Sequence, residues 1–264
     1  MIALLNDEEM GYDDVGKGMP VLFLHGFQLD RSFWEPQIGA LVAQCRCISM
    51  DMRGSQGSAT KGPHTMDQYA DDAMALLDSL HIDQAVVVGL SMGGYVALNV
   101  WKRHRKRVRA MALADTRATA DTEEQQSRRR LLIEAAEKEG STAVANLQIA
   151  SLVGKSTREA RPDIYDTLHR MLASAPVEGV IGQLQAMMAR EDSTPLLEGI
   201  DVPVLCVVGD EDVLTTPREM GALCEAIRNS RLEVIERAGH LSSFERSSAV
   251  NQVLSEFVGS LLYN

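Results

Sequence analysis

Ser91 stands between two glycines in Gly89-Leu90-Ser91-Met92-Gly93, directly after the apolar run Ala85-Val86-Val87-Val88. Many glycine-rich loops share that pattern without chemistry, so its weight depends on the rest of the chain. A serine hydroxyl is a weak nucleophile at neutral pH unless a base takes its proton and a third group fixes the base. Among six histidines, His240 in Arg237-Ala238-Gly239-His240-Leu241-Ser242 directly follows the last apolar run. His64, His81, His104 and His169 lie in polar, loop-like or helical stretches and read as surface residues. For the third group, Gly209-Asp210-Glu211-Asp212 follows the run Val204 to Val208, and any of its three carboxylates could serve. A serine activated in this way attacks carbonyl carbon, so the chemistry to expect is acyl transfer.

The elements around Ser91 must present its hydroxyl. A short β-branched run bounded by glycine predicts a buried strand, and Gly94 through Val100 continue as a helix, which puts Ser91 on a sharp strand-to-helix turn. Side chains two before and two after the serine would collide with neighbouring chain there, so both positions must be very small. The hydroxyl then lies at a helix N-terminus, where free N–H groups and the helix dipole favour developing negative charge.

A chain of 264 residues can hold one large α/β domain with an inserted subdomain. Its net charge of −11 argues against nucleic acid as a partner, because displacing phosphate counterions needs a positive surface. The basic stretch Lys102 to Arg109 reads as a solvated helix end whose cations complement the dipole. Cys45, Cys47, Cys206 and Cys224 have no metal-ligand spacing and are expected as buried, reduced thiols, with no metal and no cofactor. The first apolar stretch is too short for a signal peptide, and no run reaches the length of a membrane span. A cytoplasmic chain without a membrane or nucleic-acid partner is expected, with its oligomeric state left open.

Apolar runs at Val21 to Leu24, Cys45 to Met50, Ala85 to Val88, Val108 to Ala114, Val204 to Val208 and Leu232 to Ile235 alternate with helical stretches. That alternation predicts parallel strands joined by crossover helices. Residues 2–15 predict an antiparallel hairpin at the sheet edge, for about eight strands in all. Between 116 and 195 the alternation stops and the chain reads as helices only. Asp121 can cap a helix running to Gly140, with Asp or Ser/Thr before Glu123 and Glu124 as start signals and Gly140 as the stop, followed by helices at Thr142 to Leu152, Pro162 to Ser174 and Val177 to Ala189. The division expected is a core of residues 1–115 and 196–264 and a helical cap of residues 116–195. Leaving from the carboxyl ends of the strands, such a cap roofs the site.

With these residues in place, the chain resembles the α/β-hydrolase superfamily over essentially its whole length. Within it, the similarity is to small carboxylesterases and 3-oxoadipate enol-lactonase-like hydrolases. The resemblance implies a mostly parallel eight-stranded sheet flanked by helices, with an inserted all-helical cap. The order serine, aspartate, histidine is met by Ser91, Asp212 and His240, and the pattern of a glycine, two variable residues and then aspartate is met by Asp212 and not by Asp210. Asp115 is the second choice of acid, since some relatives carry it one strand earlier. His25-Gly26-Phe27 resembles the oxyanion loop, which implies the backbone N–H groups of Phe27 and Met92 as donors and His25 as a brace. Asp51-Met52-Arg53-Gly54 resembles the next landmark turn, with Gln56 where a glycine is expected. Ser91 excludes relatives with an aspartate nucleophile, and Met92 separates the chain from those with tryptophan after the serine.

The resemblance thus implies a metal-free serine hydrolase of small carboxylic esters or lactones. Two alternatives share the scaffold: a ligand-sensing protein, and a carbon–carbon bond hydrolase of ring-fission products. Candidate substrate contacts are Trp34, close behind the oxyanion loop with Phe33, and Met171, Met187 and Met188 in the cap, with Leu172 and Leu184. Each has a rival reading, because methionine and leucine at helical spacing also pack one helix onto another.

Overall fold

The computed structural model describes residues 1–262. The strands are β1 (Ile2–Leu5), β2 (Glu8–Gly16), β3 (Met19–Leu24), β4 (Cys45–Met50), β5 (Ala85–Leu90), β6 (Val108–Ala114), β7 (Val204–Gly209) and β8 (Ser230–Ile235). They form one sheet in the order β1-β2-β4-β3-β5-β6-β7-β8. β1 and β2 pair antiparallel, β2 runs antiparallel to β4, and every pairing from β4 to β8 is parallel. From β3 the chain crosses to β4 on one side, and the next crossover, from β4 back past β3 to β5, reverses the direction in which strands are added, which opens a crevice at the strands' carboxyl ends between β3 and β5.

The central strands read as continuous apolar runs because both faces of the sheet are covered. Successive residues go to opposite sides. On β5, Ala85 and Val87 join one core, while Val86 and Val88 join the other. Helices α1 (Glu35–Leu41), α2 (Met66–Ser79) and α3 (Met92–His104) follow β3, β4 and β5. Leu76 and Leu77 of α2 and Val96 and Val100 of α3 cover the first face, and Leu41 of α1 lies in the second core.

Between β6 and β7 come α4 (Glu123–Glu139), α5 (Ser141–Leu152), α6 (Lys155–Ala160), α7 (Pro162–Ala173) and α8 (Val177–Ala189). Among the described residues this stretch contains no strand. The last helices are α9 (Pro217–Glu225), α10 (Ser242–Glu245) and α11 (Ser247–Ser260). Of the two start signals before Glu123, Asp121 does not cap α4. Thr122 does, its side chain accepting from the Gln125 N–H while the Gln125 side chain accepts from the Thr122 N–H. Such a reciprocal pair satisfies two orphan donors, and it frees Asp121 for buried ion pairs with Arg129 and Arg190. The short helix α6 was not anticipated, being too brief for a 3.6-residue periodicity to show.

Gln56 takes the place of the expected turn glycine without disturbing the loop, because Gly54 and Gly57 supply the left-handed backbone at φ +87° and +86°. A Cβ on Gly57 would lie 2.5 Å from the Asp51 carboxylate.

Candidate active site

The turn after β5 is tight enough to dictate its own sequence. A Cβ on Gly89 would stand 2.3 Å from the Gly93 carbonyl oxygen, and one on Gly93 would stand 2.1 Å from that of Leu24. Ser91 itself has φ +51° and ψ −112°, a left-handed conformation that a side-chain-bearing residue holds only under tertiary constraint. That constraint is visible in its backbone: its N–H donates to Ala114 O at 2.9 Å, and its carbonyl accepts from the Thr116 hydroxyl at 2.8 Å.

His240 lies after β8, 4% exposed. Its Nε2 is 2.8 Å from Ser91 Oγ and its Nδ1 is 2.8 Å from Asp212 Oδ2. Asp212 is held from the other side, accepting from the N–H groups of Leu214 at 2.8 Å and Thr215 at 3.0 Å and from the Thr215 hydroxyl at 2.6 Å. Burial works against the Asp212 carboxylate, but the charge of His240 and the hydrogen bonds from His240 and Thr215 hold its pKa below the ordinary value. Asp115, the second choice of acid, does not touch His240. It is fully buried, and its two oxygens accept from Gly209 N–H at 2.9 Å and the Ser242 hydroxyl at 2.5 Å.

His25 spans the base of the first loop, where its Nδ1 donates to Gly26 O at 2.8 Å and its Nε2 accepts from Met52 N–H at 3.0 Å. Burial lowers its pKa, which keeps it in the neutral form this pairing requires. Gln28, at φ +61°, ties the same loop to the helices above it. Its side chain donates to Ser141 O at 2.8 Å and accepts from Gln148 at 2.6 Å, while its N–H donates to Gln183 at 3.2 Å.

A cavity of about 440 Å³ opens on Ser91 and His240. Gly26 and Phe27 line it from the first loop, Tyr95 from α3, and Leu132, Leu152, Leu172 and Met187 from the helices between β6 and β7. Of the expected contacts, Met187 and Leu172 are on the wall, while Trp34, Met171, Met188 and Leu184 are not. Trp34 is 1% exposed and packs against the rings of Phe23 and Phe33 at 5.3 and 5.1 Å, which makes it core rather than pocket. Met171 and Met188 each neighbour a lining residue, but consecutive residues on a helix point about 100° apart, so one of each pair turns away. Leu184 lies wholly within the core.

The other histidines divide. His81 is exposed, and His64 is half-buried, with its ring nitrogens 2.9 Å from the Tyr69 hydroxyl and 2.8 Å from Thr60 O. All four cysteines are free and buried. Among the described residues, no group of three or more His, Cys, Asp or Glu side chains gathers as a metal site, and no helix is long and apolar enough to cross a membrane.

Sequence reasoning missed Tyr95, Asp121, Arg190 and Glu245. Tyr95 was findable, because a residue one turn past a serine at a helix N-terminus lies beside it. Arg190 reaches Asp121 and Glu245 reaches Gly154 across 69 and 91 residues of chain, contacts that leave no local pattern.

A model of the alpha/beta hydrolase fold matches residues 19–247. The chain is 32% identical over 236 residues to 3-oxoadipate enol-lactonase 2 of Acinetobacter baylyi, covering 89% of this chain and 86% of that protein. A thermophilic esterase from Thermogutta terrifontis, solved with malate bound, superposes with a TM-score of 0.95 at 36% identity, covering 99% of this chain and 98% of the other. The enol-lactonase from Burkholderia xenovorans superposes with a TM-score of 0.91 at 29% identity, covering 98% of this chain and 100% of the other. The arrangement of strands, helices and crevice, with these likenesses along nearly the whole chain, makes this protein a member of the alpha/beta hydrolase family.

Proposed function

We propose that the protein is a serine hydrolase of small carboxylic esters or lactones, working through an acyl-enzyme on Ser91. The observation that carries this reading is the unbroken chain from Ser91 Oγ to His240 Nε2 at 2.8 Å and from His240 Nδ1 to Asp212 Oδ2 at 2.8 Å. His240 accepts the Ser91 proton as Oγ bonds to the substrate carbonyl carbon, and Asp212 stabilises the resulting imidazolium and its tautomer. The imidazolium then gives its proton to the departing alkoxide. Water attacks the acyl-enzyme by the same route, with His240 taking its proton and returning one to Ser91 as the acid leaves.

The tetrahedral oxyanion is received by the backbone N–H groups of Phe27 and Met92. Met92 opens α3, so its N–H has no acceptor within the helix. Each such donor contributes about 3 kcal/mol to the barrier reduction. The acyl chain contacts Leu132, Leu172 and Met187 under the helices between β6 and β7, which form the cap. The names of the relatives, an enol-lactonase and an esterase, agree with both substrate types. Four free, buried cysteines suit a reducing, cytoplasmic setting.

The test is turnover of p-nitrophenyl acetate and butyrate. The expected result is a burst of nitrophenolate followed by steady turnover, abolished in Ser91→Ala. Absence of turnover on any short ester or lactone, with ligand binding retained, would favour a sensing role instead.

A further inference from the structure

The direction of the Phe27 N–H depends on the residue that follows it. Gly26 O and Phe27 N–H belong to one planar trans peptide and point in opposite directions, so whatever fixes the carbonyl also aims the N–H. Gly26 O accepts from His25 Nδ1 at 2.8 Å and from the Leu29 N–H at 3.3 Å. The second bond closes a turn from Gly26 to Leu29 in which Gln28 holds φ +61°. A positive φ at the third position of a turn is ordinarily met by glycine or asparagine. Glutamine has a Cβ to accommodate there, so contacts outside the turn must hold it.

Those contacts come from the helices between β6 and β7. Gln28 is 1% exposed, and its Nε2 donates to Ser141 O, at the start of α5, at 2.8 Å. Its Oε1 accepts from Gln148 Nε2 of α5 at 2.6 Å, and its N–H donates to Gln183 Oε1 of α8 at 3.2 Å. Gln183, equally buried, extends the network to the loop after β4, its Nε2 donating to Ser55 Oγ at 2.9 Å and to Arg53 O at 3.4 Å. Three buried amide side chains thus satisfy one another and the backbone of three segments. Such a network is rigid while complete, and removing one member leaves polar atoms unpaired away from water.

We propose that Gln28 is a positioning residue through which α5 and α8 aim the Phe27 N–H at the oxyanion. The proposal rests on the serine-hydrolase reading and adds that these helices control the rate of the chemistry as well as enclosing the cavity. That N–H meets full negative charge only once the carbonyl has been attacked. A misaimed donor therefore weakens the transition state and leaves ester binding nearly as it was. Gln183 belongs to the same device, since it holds the Gln28 N–H without lining the cavity.

The experiment is steady-state kinetics on p-nitrophenyl butyrate for Gln28→Leu, Gln183→Leu and the double variant. In each single variant kcat is expected to fall about tenfold while KM stays within about twofold. The double variant is expected to lie within about threefold of the poorer single one, whereas independent effects would multiply to about a hundredfold. A short alkyl trifluoromethyl ketone adds Ser91 Oγ at its carbonyl carbon and leaves an oxyanion, with the proton on His240, so its inhibition constant is expected to rise in step with the loss of kcat. Gln28→Gly, whose backbone accepts the positive φ, serves should Gln28→Leu fail to fold, and is expected to lose about threefold or more in kcat. Amide hydrogen exchange across residues 25–30 is expected to be about tenfold faster in Gln183→Leu, which lies outside that segment. Unchanged kcat in Gln183→Leu, a change confined to KM, full additivity in the double variant, or an unchanged inhibition constant overturns the proposal. No turnover by the wild type would overturn the hydrolase reading instead, and exchange then decides the coupling: lost protection in Gln183→Leu sustains the hold of α8 on this loop, and unchanged protection overturns it.

Discussion

Asp115 and Asp212 follow the neighbouring strands β6 and β7, and only Asp212 reaches His240, at 2.8 Å from Nδ1. Asp115 spends both oxygens on Gly209 and Ser242. Asp212→Asn presents an amide where the ring N–H needs an acceptor, which favours the wrong tautomer of His240. It is expected to lower kcat by about four orders of magnitude with the fold retained. Asp115→Asn is expected to keep kcat within about threefold of wild type, since it changes nothing that touches the imidazole. Steady-state kinetics on p-nitrophenyl butyrate with circular dichroism of both variants checks this pair.

Asp115 also sets a pH dependence of stability. Burial, and then the negative charge of Asp212, raise its pKa well above the ordinary carboxylate value, against the hydrogen bonds from Ser242 and Gly209. The unfolded chain releases this proton near about pH 4, whereas the folded chain holds it to higher pH. The contribution to stability is therefore complete below the unfolded value and is lost as pH rises toward the folded one. Asp115→Asn keeps the shape and removes the titration. Relative to wild type, its melting temperature is expected to be higher by about 3 °C at about pH 8, with the difference shrinking towards about pH 4.

Glu245 secures the loop that carries His240. Its Oε1 accepts from the N–H groups of Gly239 at 3.0 Å and Leu241 at 3.3 Å, the two neighbours of the histidine, and its Oε2 accepts from Gly154 at 2.9 Å. Glu245→Gln turns one acceptor into a donor facing these N–H groups. A small displacement of the base is enough to slow the chemistry, so kcat is expected to fall about tenfold while KM stays within about twofold. A KM change with kcat preserved would assign Glu245 to substrate binding instead.

Two glycines test the steric argument, one at the turn of Ser91 and one where α8 meets the loop after β4. Gly89→Ala would put a methyl 2.3 Å from the Gly93 carbonyl oxygen, and Gly179→Ala would put one 1.7 Å from that of Gly54. Backbone cannot yield as a side chain can, so each is expected to destabilise by about 3 kcal/mol in urea titration. Gly89→Ala is also expected to be inactive where it remains folded, because the elbow opens. Gly179→Ala shifts α8 away from the core loop and with it Met187 of the same helix, which lines the cavity, so its expected mark is a raised KM.

The central strands were legible because each is a local apolar run, and Cys45–Met50 and Val108–Ala114 match their expected bounds. The glycines around Ser91 were legible for the same reason, since the collision they avoid is between near neighbours. The cavity wall was not. Whether Met187 or Met188 faces the cavity depends on a rotation of α8 set by its packing on α4 and on Gly54, which no periodicity in the helix records. Asp121 read as a helix cap because a short acid before a helix usually is one, but Arg129 and Arg190 compete for it. Pairings of this kind join residues far apart in the chain and emerge only with the fold.

The most direct measurement is the site of covalent labelling. The protein is treated with a fluorophosphonate, digested and mapped by mass spectrometry, alongside His240→Ala. A single adduct on Ser91, formed rapidly in the wild type and at least about a hundredfold more slowly in His240→Ala, is the expected result. No adduct, an adduct on another residue, or labelling of Ser91 at the same rate without His240 would contradict an activated serine at this turn.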